Sequence, residues 1–229
     1  MLVSETHFTT KSYFSIPGYS FCHTNYLDGN AYRGTAILTR STITFSEQLP
    51  YVRPEPQATI IHVKGQQRPI TIASVYCPPK YNLKAPQYNS FFQTLGPCFI
   101  AGGDYNSKHT LWGSRLNTTK GRELVSLIHT NNYSFLSTGT PTYWPTDPNK
   151  LPDLLDFFIT SKISPSNADI QPSHNLSSAH TPTIATNSTT VIKQKSKPRL
   201  HNAPTNWQHS KRKYATGWTV TGNSKPVTI

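Results

Sequence analysis

The apolar run Cys98-Phe99-Ile100-Ala101 stops on two glycines, Gly102 and Gly103, and then delivers Asp104 and Asn106. A run this short, closed by glycine, reads as a buried strand rather than a helix. Period-2 geometry puts Asp104 and Asn106 on one side of the extended chain end. A carboxylate beside a neutral amide suits a hard divalent cation and a phosphate oxygen. The acid binds the metal or orients a nucleophilic water, and the amide donates to the phosphate without adding repulsion. A Gly-Asp pair after a strand is also an ordinary polar turn. The weight therefore falls on the segment that follows, Ser107-Lys108-His109-Thr110-Leu111-Trp112-Gly113-Ser114-Arg115.

Short elements of this kind recur along the chain. With 19 prolines and 12 glycines in 229 residues, many strands joined by turns are expected. Residues 19–23, 34–38, 58–63, 70–76, 134–136 and 154–159 read as strands, and 168–170 and 181–184 as weaker ones. Gly65 is expected to turn a hairpin, and Pro78-Pro79 ends the strand before it. Residues 82–95 carry Leu83, Tyr88, Phe91, Phe92 and Leu95 at helical spacing. Residues 120–131 form a second helix with Leu124, Leu127 and Ile128 on one stripe. Strands outnumber helices, and hairpins are expected to join consecutive strands. The fold class is α+β, with two stacked, mainly antiparallel sheets and flanking helices.

Several apolar strands end beside an unusual polar group: Glu5 after residues 1–4, Tyr76 after 70–75, Asp156 inside 154–159, and His180 after 176–179. Two acids, an acid–amide pair, a phenol and a histidine suit phosphodiester cleavage. Glu5 is the candidate for binding Mg²⁺, and Asp104 for orienting the attacking water. His180 is the candidate for bonding a phosphoryl oxygen, with Asp156 holding its imidazole. Tyr76 can donate to developing charge. Taken singly, Glu5 is a common loop acid, Tyr76 a packed aromatic and His180 a structural histidine. An acid inside the apolar stretch 154–159 needs a partner.

The net charge of +12 is uneven, with +4 over residues 1–160 and +8 over 161–229. A polyanionic partner follows from that excess. Cys22, Cys77 and Cys98 are odd in number and lack the spacing of a zinc site, so buried thiols are expected. The sequence carries no signal-peptide pattern and no apolar run of membrane length, and an intracellular location is expected. Residues 188–229, rich in Ser, Thr, Asn, Lys and Pro, read as a basic linker or disordered tail after a domain over 1–187.

The segments Ser4-Glu5-Thr6-His7, Arg33-Gly34-Thr35-Ala36-Ile37, Val75-Tyr76-Cys77-Pro78-Pro79, Gly103-Asp104-Tyr105-Asn106, Lys108-His109-Thr110-Leu111-Trp112-Gly113-Ser114, Pro141-Thr142-Tyr143 and Pro152-Asp153-Leu154-Leu155-Asp156 resemble the endonuclease domain of jockey-like non-LTR retrotransposons. That domain belongs to the endonuclease/exonuclease/phosphatase superfamily. The resemblance implies a four-layer sandwich, and it places the metal-binding glutamate at Glu5 and the active-site tyrosine at Tyr76. It places the water-orienting acid at Asp104, the phosphate-contacting amide at Asn106, and the supporting acid and histidine at Asp156 and His180. It further implies Mg²⁺, with Mn²⁺ as a substitute, and nicking of double-stranded DNA in the nucleus. The exposed 3′-hydroxyl then primes a reverse transcriptase domain in the full-length element. A lipid or small-molecule phosphatase of the same superfamily is the lesser expectation, because the Lys108-to-Ser114 extension is that of the retroelement nucleases.

Two departures stand out. The family has an earlier strand carrying a metal-site Asn, whereas Met1 lies four residues before Glu5. The family's histidine also follows an aspartate, whereas this chain has Ser178-Ala179-His180. Impaired cleavage is expected, with a catalytically inactive DNA-binding remnant as the alternative.

Overall fold

The computed structural model describes residues 1–26, 31–49, 51, 55–64, 69–173 and 178–188. Its backbone is a six-stranded sheet with helices on one face and two smaller sheets, of three and two strands. The strands are β1 Leu2–Ser4, β2 Tyr19–Thr24, β3 Thr35–Arg40, β4 Phe45–Glu47, β5 Gln57–Val63, β6 Ile70–Tyr76, β7 Phe99–Asp104, β8 Ser134–Leu136, β9 Asp156–Ser161, β10 Ala168–Pro172 and β11 Thr183–Asn187. The helices are α1 Ala85–Thr94 and α2 Thr119–Thr130. The large sheet runs β4-β5-β6-β7-β9-β8, the three-stranded sheet β1-β3-β2, and the last pair β10-β11. The α+β class is as expected. Gly65, residues 176–177 and the tail beyond residue 188 lie outside the described residues.

The helices form where the apolar spacing demands. Tyr88, Phe91 and Phe92 of α1 and Leu124, Leu127 and Ile128 of α2 fall on single stripes and are buried. They pack with Val75, Phe99, Ala101, Phe157 and Ile159 of the sheet in the main core. Glu123 of α2 accepts from the Ala85 amide at 2.9 Å. An anion at the start of α1 satisfies one of its orphan donors and favours the helix dipole. On the opposite face a second core forms between the sheets, from Cys22, Ile37 and Ile61 with Leu2, Phe45, Val63 and Ile72. Cys22, Cys77 and Cys98 are buried and free, as expected.

One connection differs from expectation. β6 and β7 pair in parallel, so α1 is the crossover between them and not an appendage to a hairpin meander. That topology brings the C-terminal ends of β6 and β7 together at one sheet edge. β9 then runs antiparallel to β7, with its first residue, Asp156, opposite Asp104.

Candidate active site

The site grows from a single row across the sheet. Tyr76 is the register partner of Asp104, and Asp104 is the register partner of Asp156. Residues paired directly across strands project to the same face. Ser74, two residues before Tyr76, gives that face away: its hydroxyl donates to the Val3 carbonyl of β1 at 3.0 Å. The row therefore points toward the small sheet, at the end where β1 delivers Glu5. Ser4 secures the junction by donating to the Val75 carbonyl at 3.1 Å.

Asp104 reaches this position because the glycine before it allows it. Gly103 has φ +148, and a Cβ there would run into the Val75 carbonyl oxygen. The strand is thus drawn tight against β6 just before the acid. The Asp104 carboxyl is buried and accepts twice from Asn106, at Oδ1 from the backbone amide (2.9 Å) and at Oδ2 from the side-chain amide. Burial pushes its pKa up to about 8, and the charge of Asp156 adds to the rise. His180, the Asn106 amide and Lys120 pull the other way.

His180 comes from a distant segment, and its Nδ1 lies 2.8 Å from Asp156 Oδ2. Burial alone would lower the imidazole pKa. The hydrogen bond and charge of Asp156, with the charges of Asp104 and Glu5, outweigh burial and raise it. A short connector holds this pair. Thr142 Oγ1 accepts from the Leu155 and Asp156 amides at 3.0 Å each. The Thr142 carbonyl accepts from the Thr181 amide at 2.7 Å. The ring of Tyr143 lies 4.9 Å from that of His180.

Glu5 is partly exposed and adopts φ +55. The turn that carries it is fastened to residues 33 and 34: the His7 amide donates to the Arg33 carbonyl at 2.7 Å and the Thr6 amide to the Gly34 carbonyl at 3.3 Å. Tyr76 is buried and lies within the electrostatic reach of Glu5. Burial raises the phenol pKa far above its ordinary range. Glu5 and the charge of Asp104 raise it further, against Arg33. All six residues singled out in the sequence, Glu5, Tyr76, Asp104, Asn106, Asp156 and His180, thus join one neighbourhood through hydrogen bonds, strand register or charge contacts.

Sequence reasoning missed the residues behind them. Lys120 is buried, donates to the Cys77 and Pro78 carbonyls at 3.0 Å each, and holds a positive charge near Asp104. Arg33 pairs with Glu55 in the interior, and its guanidinium lies 4.6 Å from the ring centroids of Tyr26 and Tyr32 and 4.9 Å from that of Tyr81. Asp153 is buried and bonds the Arg115 and Leu154 amides at 3.0 Å, with Lys108 Nζ at 2.9 Å. Burial would raise its pKa, but these partners outweigh burial and lower it. In the sequence Lys120 stood only as the first residue of a helix and Asp153 only within the segment Pro152-to-Asp156, and neither was given a role.

The segment after Asn106 is a scaffold. Trp112 donates to the Ser107 carbonyl at 2.9 Å and stacks on Phe157 at 4.7 Å, while Phe157 stacks on Tyr105 at 4.6 Å. Gly121 lets α2 approach, since a Cβ there would strike the Lys108 carbonyl oxygen. The Lys108-to-Ser114 stretch thus fixes where Asn106 sits.

The fold is shared with solved nucleases. The endonuclease domain of TRAS1, a telomere-specific non-LTR retrotransposon, superposes with TM-score 0.64 at 19% identity, over 76% of this chain and 82% of that one. The Xenopus laevis APE2 catalytic domain superposes with TM-score 0.58 at 14% identity, over 82% and 84%. This chain therefore has the fold of the endonuclease/exonuclease/phosphatase group. A family model described as Endonuclease-reverse transcriptase matches residues 70–184. The RNA-directed DNA polymerase from mobile element jockey of Drosophila funebris is 36% identical over 185 residues, 81% of this chain and 20% of that protein. Its Drosophila melanogaster counterpart is 35% identical over 90% of this chain and 23% of the protein. The chain belongs to the endonuclease–reverse transcriptase family, as an endonuclease domain of the jockey-like non-LTR retrotransposon type. It spans about a fifth of the length of these relatives.

Proposed function

We propose that this chain is a Mg²⁺-dependent nuclease domain that nicks one strand of double-stranded DNA, at a rate held down by Ala179. The observation that carries the reading is the row Tyr76–Asp104–Asp156, with His180 bonded to its last member. A buried carboxyl with pKa about 8, beside a histidine whose protonated form is favoured, is poised for acid–base work near neutral pH.

The donor set fits magnesium. Magnesium keeps several waters and takes one or two carboxylates plus substrate phosphate oxygens. Glu5, an exposed oxygen donor, would hold it, with Asp104 as a further carboxylate of the same site. When bound, the ion supplies charge to the phosphate and its leaving oxygen.

The chain's own residues account for the remaining steps. Asp104 accepts a proton from the attacking water, whose oxygen forms the new bond to phosphorus. Asn106 orients Asp104 and offers its amide to a phosphate oxygen. His180, held through Nδ1 by Asp156, presents Nε2–H to a phosphoryl oxygen. Tyr76 stays protonated and donates toward the developing charge. The P–O3′ bond breaks, and the 3′ oxygen takes a proton from solvent to leave a 3′-hydroxyl opposite a 5′-phosphate. That end is the one a reverse transcriptase domain of the full-length element would extend.

Ala179 accounts for the slow rate: it offers a methyl group where the family presents a carboxylate beside the histidine. The reading is tested by mapping the ends of the product. Open-circular plasmid formed with Mg²⁺ should be resealed by DNA ligase alone and extended by a polymerase from the nick. Product that ligase cannot seal would contradict this chemistry.

A further inference from the structure

Trp144 is half exposed, yet its backbone and its side chain are each held by a hydrogen bond. Its backbone amide donates to the Ala179 carbonyl at 2.8 Å, and its indole N–H donates to Thr181 Oγ1 at 2.9 Å. The two bonds land on the residues immediately before and after His180. The residue on its other flank, Tyr143, bridges His180 backbone to backbone and lies against its ring. Trp144 is thereby built into the support of the histidine, while half of its own surface faces solvent.

The exposed half of the ring is apolar surface that a ligand could still cover. A tryptophan offers up to roughly 250 Å² of surface to bury, and leaving half of it wet forgoes part of that gain. The indole's one polar group is already satisfied within the protein, so what remains exposed is apolar ring surface. Such a face is matched to another flat ring. Because the N–H bond fixes the ring plane, little side-chain entropy is lost when a ligand lands on it.

We infer that Trp144 is a substrate-contacting specificity residue: a fixed stacking platform on the His180 side of the site, taking the face of an unstacked nucleobase of the strand being cut. This rests on the nuclease reading of the same site. Aromatic wedges partly unstack base steps when a protein works from the groove, and a base so freed stacks on an aromatic ring without regard to its identity. The contact would favour DNA steps that open readily, rather than a base sequence read by hydrogen bonds.

The test is equilibrium binding of the full chain in Ca²⁺, so that the DNA stays intact. Two probes are used: a fully paired duplex, and the same duplex with a two-nucleotide mismatch bubble. The wild-type chain should prefer the bubble by roughly tenfold, the order expected for one stacked base. Trp144→Ala should bind the two probes equally. Trp144→Phe, which keeps a ring and loses the Thr181 bond, should retain most of the preference and guards against a folding artefact. The salt dependence should match in all three, because stacking releases no counterions. A bubble preference that survives in Trp144→Ala, or is absent from the wild type, overturns the inference and leaves the nuclease reading standing. A wild-type chain that binds neither probe overturns both.

Discussion

Asp156 and His180 are 24 residues apart in the chain, yet His180 Nδ1 lies 2.8 Å from Asp156 Oδ2, at the start of a strand whose first residue is the register partner of Asp104. The acid thus serves two neighbours. It raises the pKa of the histidine by attraction and that of Asp104 by repulsion. An Asp156→Asn substitution keeps the shape and removes both effects. It should lower the nicking rate roughly 10²-fold, the cost typical of losing a group that orients a functional histidine. Combined with His180→Ala it should add little, because residues acting as a unit are not additive. Single-turnover nicking of the three variants checks this.

The same electrostatics set how stability responds to pH in the metal-free protein. Asp104 has a folded pKa of about 8, above its unfolded value. Between the two, the folded state holds the extra proton, so stability falls as pH rises through that window. His180 also has a raised folded pKa. Its contribution is complete below the unfolded value and is lost as pH rises through the folded one. Both slopes have the same sign, so the EDTA-treated protein should lose Tm steadily from pH 6 to pH 9. Asp104→Asn should raise Tm at pH 8 by on the order of 5 °C and flatten the decline. Calorimetry across that range with and without Mg²⁺ reads it directly, and Mg²⁺ should also flatten the slope by favouring the ionised acid.

Asp153 makes a different kind of contribution. It is 1% exposed, bonds two backbone amides, and pairs with Lys108. Asp153→Ala should cost roughly 3–5 kcal/mol, the range for breaking a buried pair and leaving its partners unsatisfied. Urea unfolding monitored by tryptophan fluorescence measures the loss. Surface substitutions of the neighbouring Lys150 should change stability by no more than about 0.5 kcal/mol.

Charge distribution yields a prediction about affinity. The +8 net charge of residues 161–229 should contribute to duplex binding mostly through phosphate contacts. Removing residues 189–229 should weaken binding at low salt and make the plot of log K against log salt shallower. An unchanged slope would place the phosphate contacts on the residues before 189.

Parts of this architecture were legible in the sequence for physical reasons. Asp156 inside an apolar strand required a partner, and a buried carboxylate rarely goes without one. Gly102-Gly103 marked the end of a strand just before an acid. The stripes of α1 and α2 followed from spacing alone. What was missed was pairing. The strand–helix–strand order of residues 70–101 carried the signal for a parallel crossover, but hairpins were expected between consecutive strands, and only the crossover sets Tyr76 beside Asp104. Lys120, Asp153 and Thr142 were illegible for a different reason. Each is polar, each would be unremarkable on a surface, and each is buried only because distant backbone groups close around it.

Ala179 bears on how fast the site can run. It stands immediately before His180, exposed, with its carbonyl engaged by Trp144. Restoring a carboxylate with Ala179→Asp should raise nicking at least tenfold, equivalent to about 1.4 kcal/mol of barrier, without altering duplex affinity. Parallel rate and binding measurements separate the two effects.

The most direct measurement is the conversion of supercoiled plasmid to the open circle by the full chain, with Mg²⁺ and with EDTA, for the wild type, Asp104→Ala and His180→Ala. The account predicts slow nicking by the wild type in Mg²⁺ only, and none above background in either variant. Nicking that persists in Asp104→Ala, or a wild type as inert as its variants, would contradict it.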